Sequence, residues 1–175
     1  MHIFLQGMLN VGKSTVIRKT LEILTACGPL KIGGFNTWRS GALDSNIYIR
    51  PAMPGREDEK YHLASYRADS HNIDCDPLAF DQTGVRLLEE NPYADLIIMD
   101  ELGFLERYSS VFQQTVLKAL DRDIPVIGVL RKKDIPWHEP IKTHPLVSIR
   151  EVTMENRDTL PQELADRLRG RSPRN

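Results

Sequence analysis

The chain has 175 residues, with 23 Lys and Arg set against 24 Asp and Glu, for a formal charge of -1 at pH 7. That balance supplies no global positive field to collect nucleic acid or an acidic membrane, and 41% apolar with 27% charged residues is the composition of a folded chain, not a disordered one. The length suits one ordinary domain over residues 1–175, and two cysteines, Cys27 and Cys75, are too few for a disulfide framework or a four-cysteine metal cluster. The segment from Met1 to Gly7 lacks the basic and long apolar regions of a signal peptide. No apolar run approaches the roughly 20 residues of a membrane span. The expectation is a reduced, cytoplasmic protein with no membrane association.

From the amino end, Ile3-Phe4-Leu5 predicts a short strand that stops at a glycine turn, and Val16, Ile17, Leu21 and Leu24 follow at helical spacing. Lys31 to Arg67 reads differently. Ile32 to Thr37, Asn46 to Arg50 and Tyr61 to Tyr66 predict three strands punctuated by glycine and proline near residues 51–55, an antiparallel extension inserted beside the core. Arg56 to Lys60 predicts a solvated loop, and Asp69 to Pro77 a polar connection able to move over a ligand. A helix is expected over roughly Thr83 to Glu90. Ala94 to Met99 predicts a strand running into Asp100-Glu101, Val111, Val116, Leu117 and Leu120 line a helical stripe, and Pro125 to Leu130 predicts a strand running into Arg131. These late strands are apolar without alternation, as in a parallel sheet covered on both faces. Leu160, Leu164 and Leu168 predict a last helix, followed by a fraying basic tail with Arg169, Arg171 and Arg174, flexible from about residue 170. The order predicts an α/β fold of three layers, with a mostly parallel sheet and a small antiparallel extension.

Gly7-Met8-Leu9-Asn10-Val11-Gly12-Lys13-Ser14 is a complete G-x-x-x-x-G-K-[ST] pattern between a predicted strand and a predicted helix, the context a phosphate-binding loop requires. Amides of this loop and of the helix start, which runs on through Thr15, face phosphate oxygens. Lys13 suits the charge of β and γ phosphates, and the Ser14 hydroxyl suits magnesium. Leu96 to Asp100 is the complementary buried strand ending in a carboxylate. Asp100 suits hydrated magnesium, and Glu101 suits activation of a water at the γ phosphate, provided a turn begins there, since adjacent residues of a regular strand point to opposite faces. The expected partner is a nucleoside triphosphate.

With Gly34-Phe35-Asn36-Thr37, Asp100-Glu101-Leu102-Gly103-Phe104-Leu105-Glu106, Ser110-Val111-Phe112 and Val152-Thr153-Met154-Glu155-Asn156-Arg157-Asp158, the chain resembles the THEP1-like nucleoside-triphosphatase family of P-loop proteins over most of its length. The resemblance implies the P-loop NTPase fold and magnesium-dependent hydrolysis of several nucleoside triphosphates to diphosphates. It implies phosphate and magnesium contacts for Lys13 and Ser14, magnesium support by Asp100 and a base at Glu101. Glu106 matches a further acidic position, either orienting the site or forming a salt bridge. Asn156 and Arg157 match the late motif, either approaching the nucleotide or capping and packing a helix. Three places depart from the family pattern: Asn10 stands where glycine is usual, residues 39–44 only partly resemble an arginine- and glycine-rich hairpin, and Phe104 replaces a basic or polar residue. Asparagine accepts unusual backbone dihedrals better than most residues.

Two other functions remain open on the same frame. A nucleotide or small-molecule kinase would seat its acceptor between Phe35 and Arg67, where Trp38, Arg39, Tyr48 and Arg50 combine stacking surface with charge, although plain packing also accounts for those aromatics. A nucleotide-responsive regulatory module would bind without efficient turnover. Arg131-Lys132-Lys133 is either a phosphate contact or a solvated loop, and Trp137 either covers a base or packs. Nucleic acid is not the expected substrate.

Overall fold

The computed structural model describes residues 1–41 and 44–170, so residues 42–43 of the partly matching hairpin and the basic tail with Arg171 and Arg174 lie outside the described residues. Along the chain, strand β1 (His2–Gln6) leads to helix α1 (Lys13–Thr25), then β2 (Ile32–Ser40), β3 (Ser45–Pro51), β4 (Tyr61–Arg67) and β5 (Asn72–Cys75). Helix α2 (Pro77–Ala79), a π-helical turn (Phe80–Gly84) and α3 (Val85–Glu89) follow one another directly, before β6 (Leu96–Leu102), α4 (Ser110–Leu120), β7 (Val126–Leu130), α5 (Glu139–Lys142), β8 (Val147–Glu151) and α6 (Leu160–Arg169).

The strands form one sheet in the order β5-β4-β3-β2-β6-β7-β1-β8. From β2 to β8 every pairing is parallel, and β3, β4 and β5 extend the sheet beyond β2 by antiparallel pairing. Alternation within each core strand builds the layers. Ile3 and Leu5 of β1 and Leu96 and Ile98 of β6 join Val16 and Ile17 of α1 and Leu160 and Leu164 of α6 in one cluster. Phe4, Ile97 and Met99 point the other way, into a second cluster with Phe80, Leu87, Phe112, Val116 and Leu120. Strands whose two faces are both covered need apolar residues at successive positions, which is why β6 and β7 show no polar alternation. In the second cluster Phe112 is wholly buried between Phe35 and Phe80, with ring centroids 5.7 and 5.4 Å away. These are tilted contacts of the kind aromatic quadrupoles favour.

The expected α/β architecture forms, with several local differences. The connection over Asp69 to Pro77 contains β5, a four-residue strand completing the extension. The helix expected near Thr83 starts at Pro77 and runs through the π turn. β8, for which no strand was expected, pairs in parallel with β1 alone among the described residues. Arg169, expected in the fraying tail, is instead the last residue of α6 and is fastened to α1 by donating to Ile23 O at 2.7 Å. The charged loop is not simply solvated: Arg56 bridges Glu59 and Glu90, each at 2.5 Å, and ties the loop to the end of α3. Among the described residues no helix is long and apolar enough to cross a membrane.

Candidate active site

Parallel pairing of β2, β6, β7 and β1 brings their carboxyl ends to one edge, where open α/β sheets hold ligands. The loop leaving β1 at Gly7 enters α1 at Lys13 and is pinned from below by buried Val11. Its backbone turns through left-handed conformations at Asn10 (φ 59) and Gly12 (φ 107), the second readily accessible only to glycine. Asn10 thus occupies the conformation that its departure from glycine puts in question. No acidic side chain lies in the first turn of α1, so the helix itself supplies nothing to offset the positive end of its dipole. The Lys13 side chain folds back across the loop, its Nζ donating to the carbonyls of Gly7 at 3.2 Å and Met8 at 2.9 Å. Ser14 and Thr15 follow on the exposed first turn, and Met8 and Leu9 stand out into solvent.

Asp100 and Glu101 lie near the carboxyl end of β6. The last paired residue facing β2 is Asp100, opposite Asn36, but on the β7 side the register shifts: Met99 faces Gly128 and Leu102 faces Leu130, leaving one extra residue in β6. The Asp100–Glu101 peptide is cis. A bulge re-aims side chains, and it stands where a turn was expected, since β6 runs on to Leu102. Asp100 is buried and accepts a hydrogen bond from Ser14, with Lys13 close enough to act on its charge. Burial pushes its carboxyl up to about 6, Ser14 and Lys13 pull the other way, and Glu101 adds to the rise. The Glu101 side chain is half-buried, and its backbone amide donates to Thr37 Oγ1 at 3.1 Å. β2 therefore touches the site through a residue that sequence reasoning assigned only to a motif.

Across this same length the sequence matches a family model described as NTPase, over residues 2–165. It is 32% identical to the nucleoside-triphosphatase THEP1 of Thermofilum pendens over 168 residues, covering 92% of this chain and 91% of that protein. Against THEP1 of Thermotoga maritima it is 32% identical over 174 residues, covering 97% and 96%. The chain belongs to the THEP1-like nucleoside-triphosphatase family, within the P-loop NTPases. The crystal structure of THEP1 from Aquifex aeolicus shares the fold, with a TM-score of 0.78 at 24% identity over 96% of this chain and 99% of that one. So does the solution structure of a human cancer-related nucleoside triphosphatase, with a TM-score of 0.73 at 22% identity over 99% of both chains.

The remaining motif residues of this family member divide. Asn156 ties its own loop, its Oδ1 accepting from the Thr153 amide and its Nδ2 donating to Glu151 O, both at 2.9 Å, and its side chain does not cap α6. Arg157 instead lies along the P-loop, its Cδ 3.9 Å from where a Cβ on Gly12 would stand. Glu106 is fully buried, makes no ion pair among the described residues, and accepts the Gly103 amide at 3.0 Å. Burial pushes its carboxyl up to about 7, opposed by its own amide and that of Gly103, with Glu101 raising it and Arg131 lowering it.

Trp137 packs: its Nε1 donates to Gly103 O at 2.8 Å and its ring meets His138 edge-on. Trp38 and Tyr48 stack at 5.3 Å with Arg50 over Trp38 at 5.1 Å, whereas Arg39 turns away to Tyr66 at 4.5 Å. The basic run after β7 is split. Lys132 pairs with Glu151, while Arg131 is half-buried and reaches to 4.0 Å from Glu101.

Proposed function

We propose that this chain hydrolyses nucleoside triphosphates to diphosphates and phosphate in the presence of magnesium. The reading rests above all on one observation: a buried carboxyl, Asp100, hydrogen-bonded to the hydroxyl that ends the P-loop motif, with Glu101 next to it at the same sheet edge. Ser14 and Asp100 are hard oxygen donors of the kind magnesium takes, and a buried carboxyl held up to about 6 by burial is one that a divalent cation would return to its ionised form. Held by Ser14 and Asp100, the ion would supply positive charge to offset that of the phosphates.

The loop amides from Gly7 to Thr15 and the start of α1 bind the phosphates, and Lys13 exchanges its two carbonyl partners for β and γ oxygens. Arg157, alongside Gly12, adds a cation on the same side. Glu101 takes a proton from the attacking water as the new oxygen–phosphorus bond forms and the bond from phosphorus to the β–γ bridging oxygen breaks, releasing the diphosphate.

Phosphate release from ATP, GTP, CTP and UTP with and without magnesium tests this reading. Lys13→Ala and Glu101→Gln should each abolish release by the intact chain. A second reading, phosphoryl transfer to an acceptor, draws on the Trp38–Tyr48–Arg50 row, which spans β3 and β2, the strand whose Thr37 holds the Glu101 amide. Nucleotide binding with little phosphate release, and transfer that appears only with an added acceptor, would put it first.

A further inference from the structure

Three side chains converge where Gly103 has none. A Cβ on Gly103 would stand 3.7 Å from Arg131 Cδ, 3.8 Å from Glu106 Oε2 and 4.0 Å from Glu101 Oε1. Arg131 directly follows β7, the strand between P-loop strand β1 and β6. Its amide donates to Leu102 O at 3.0 Å, so its backbone is fastened to the end of the strand that carries Glu101. Its guanidinium lies over the Phe104 ring at 5.1 Å, and Nη1 stands 4.0 Å from Glu101 Oε1. Phe104 is itself half-buried, and the Arg107 guanidinium also stands 6.0 Å from its centroid.

This pair is poorly suited to stabilising the fold. Arg131 and Glu101 side chains remain 35% and 31% exposed, and an ion pair at that exposure and separation contributes little to folding. It is well suited to fixing direction. A planar guanidinium resting on an aromatic face loses most of its rotational freedom without losing its charge, and a lysine does not stack in this way. Glu101 also has a second carboxyl, Glu106, beside it, and Arg131 acts on the charge of both.

We propose that Arg131 is the positioning residue for Glu101, held in place by Phe104, so that the Glu101 carboxylate keeps one orientation at the sheet edge. The inference rests on the reading of Glu101 as the base.

The test uses the full chain with magnesium and the best nucleotide, comparing Glu101→Gln, Arg131→Ala, Arg131→Met, Arg131→Lys and Phe104→Ala. Misdirection of a catalytic group costs up to about 100-fold in rate, so Arg131→Ala and Arg131→Met should lose about 10- to 100-fold in kcat, with KM and nucleotide affinity changed less than about twofold. Arg131→Met keeps the aliphatic packing, so a folding defect in the alanine variant does not obscure the result. Arg131→Lys should recover part of the loss, Phe104→Ala should show an intermediate loss, and millimolar guanidinium should accelerate Arg131→Ala but not Glu101→Gln. If Glu101→Gln is inactive while Arg131→Ala and Arg131→Met turn over like the parent, the positioning role alone is overturned. A raised KM at unchanged kcat, or equal guanidinium acceleration of Glu101→Gln, also overturns it. Full turnover by Glu101→Gln removes the base reading, and the positioning role with it.

Discussion

Replacing Glu106 by glutamine removes a buried ionisable group while keeping its shape. The side chain is 2% exposed, and burial raises its carboxyl from an ordinary 4.5 to about 7. Because the folded chain holds this proton more tightly than the unfolded chain, the full contribution to stability is present below 4.5, where both states are protonated. It is lost as pH rises, since the unfolded chain releases its proton first, and the loss is complete above about 7. A tenfold change in proton affinity is about 1.4 kcal/mol, so the interval from 4.5 to about 7 corresponds to roughly 3 kcal/mol. Glutamine has no such dependence. Asp100 is raised as well and shifts stability in the same direction, but it is present in both proteins and largely cancels from their difference. Urea unfolding followed by tryptophan fluorescence between pH 5 and pH 8 reads that difference. The variant should gain on the parent steadily as pH rises, by an amount approaching 3 kcal/mol. Parallel curves, or a gap that closes toward pH 8, would refute the reasoning.

Gly34→Ala should cost at least about 2 kcal/mol in urea unfolding, because Gly34 has φ +89 and a Cβ there would stand 2.0 Å from the Ile98 carbonyl oxygen; an unchanged midpoint would contradict that close approach. Phe112→Ala empties the centre of the second cluster and should lose about 3–5 kcal/mol by the same measurement. Asp100→Asn should raise the magnesium concentration needed for half-maximal turnover by about tenfold or more, with nucleotide binding in the absence of magnesium little affected. A variant that responds to magnesium like the parent would remove Asp100 from that role.

The parallel core was legible because its strands are covered on both faces and its helices carry apolar stripes. The P-loop was legible because phosphate binding demands fixed residue types at fixed spacing. β5 escaped notice because Asn72-Ile73-Asp74-Cys75 is short and half polar, and only its ladder to β4 makes it a strand. β8 has one partner among the described residues, β1, and its alternation, with Val147 and Ile149 turned to the second cluster, lasts only four residues, too short to separate it from a loop. The bulge joining Asp100 and Glu101 was needed by the chemistry but could not be read from Leu96-Ile97-Ile98-Met99. Arg131 looked like part of a solvated basic run because one-dimensional charge patterning cannot see that β7 ends beside Glu101. Thr37 was missed for the same reason: its hydroxyl meets the Glu101 amide across 64 positions of sequence.

Among the described residues the order of the sheet leaves β5 and β8 with one neighbouring strand each, at its two edges. Such edges recruit other chains when they are long, flat and apolar. β5 has four residues, one of them Asp74, and β8 has five, ending in Arg150, paired with Glu163, and Glu151, paired with Lys132. A second molecule aligning along β8 would meet the charges at its end, and along β5 it would find too few amides to hold. The sheet therefore stops growing at both ends by charge and by brevity, which protects a chain rich in strands from edge-to-edge aggregation.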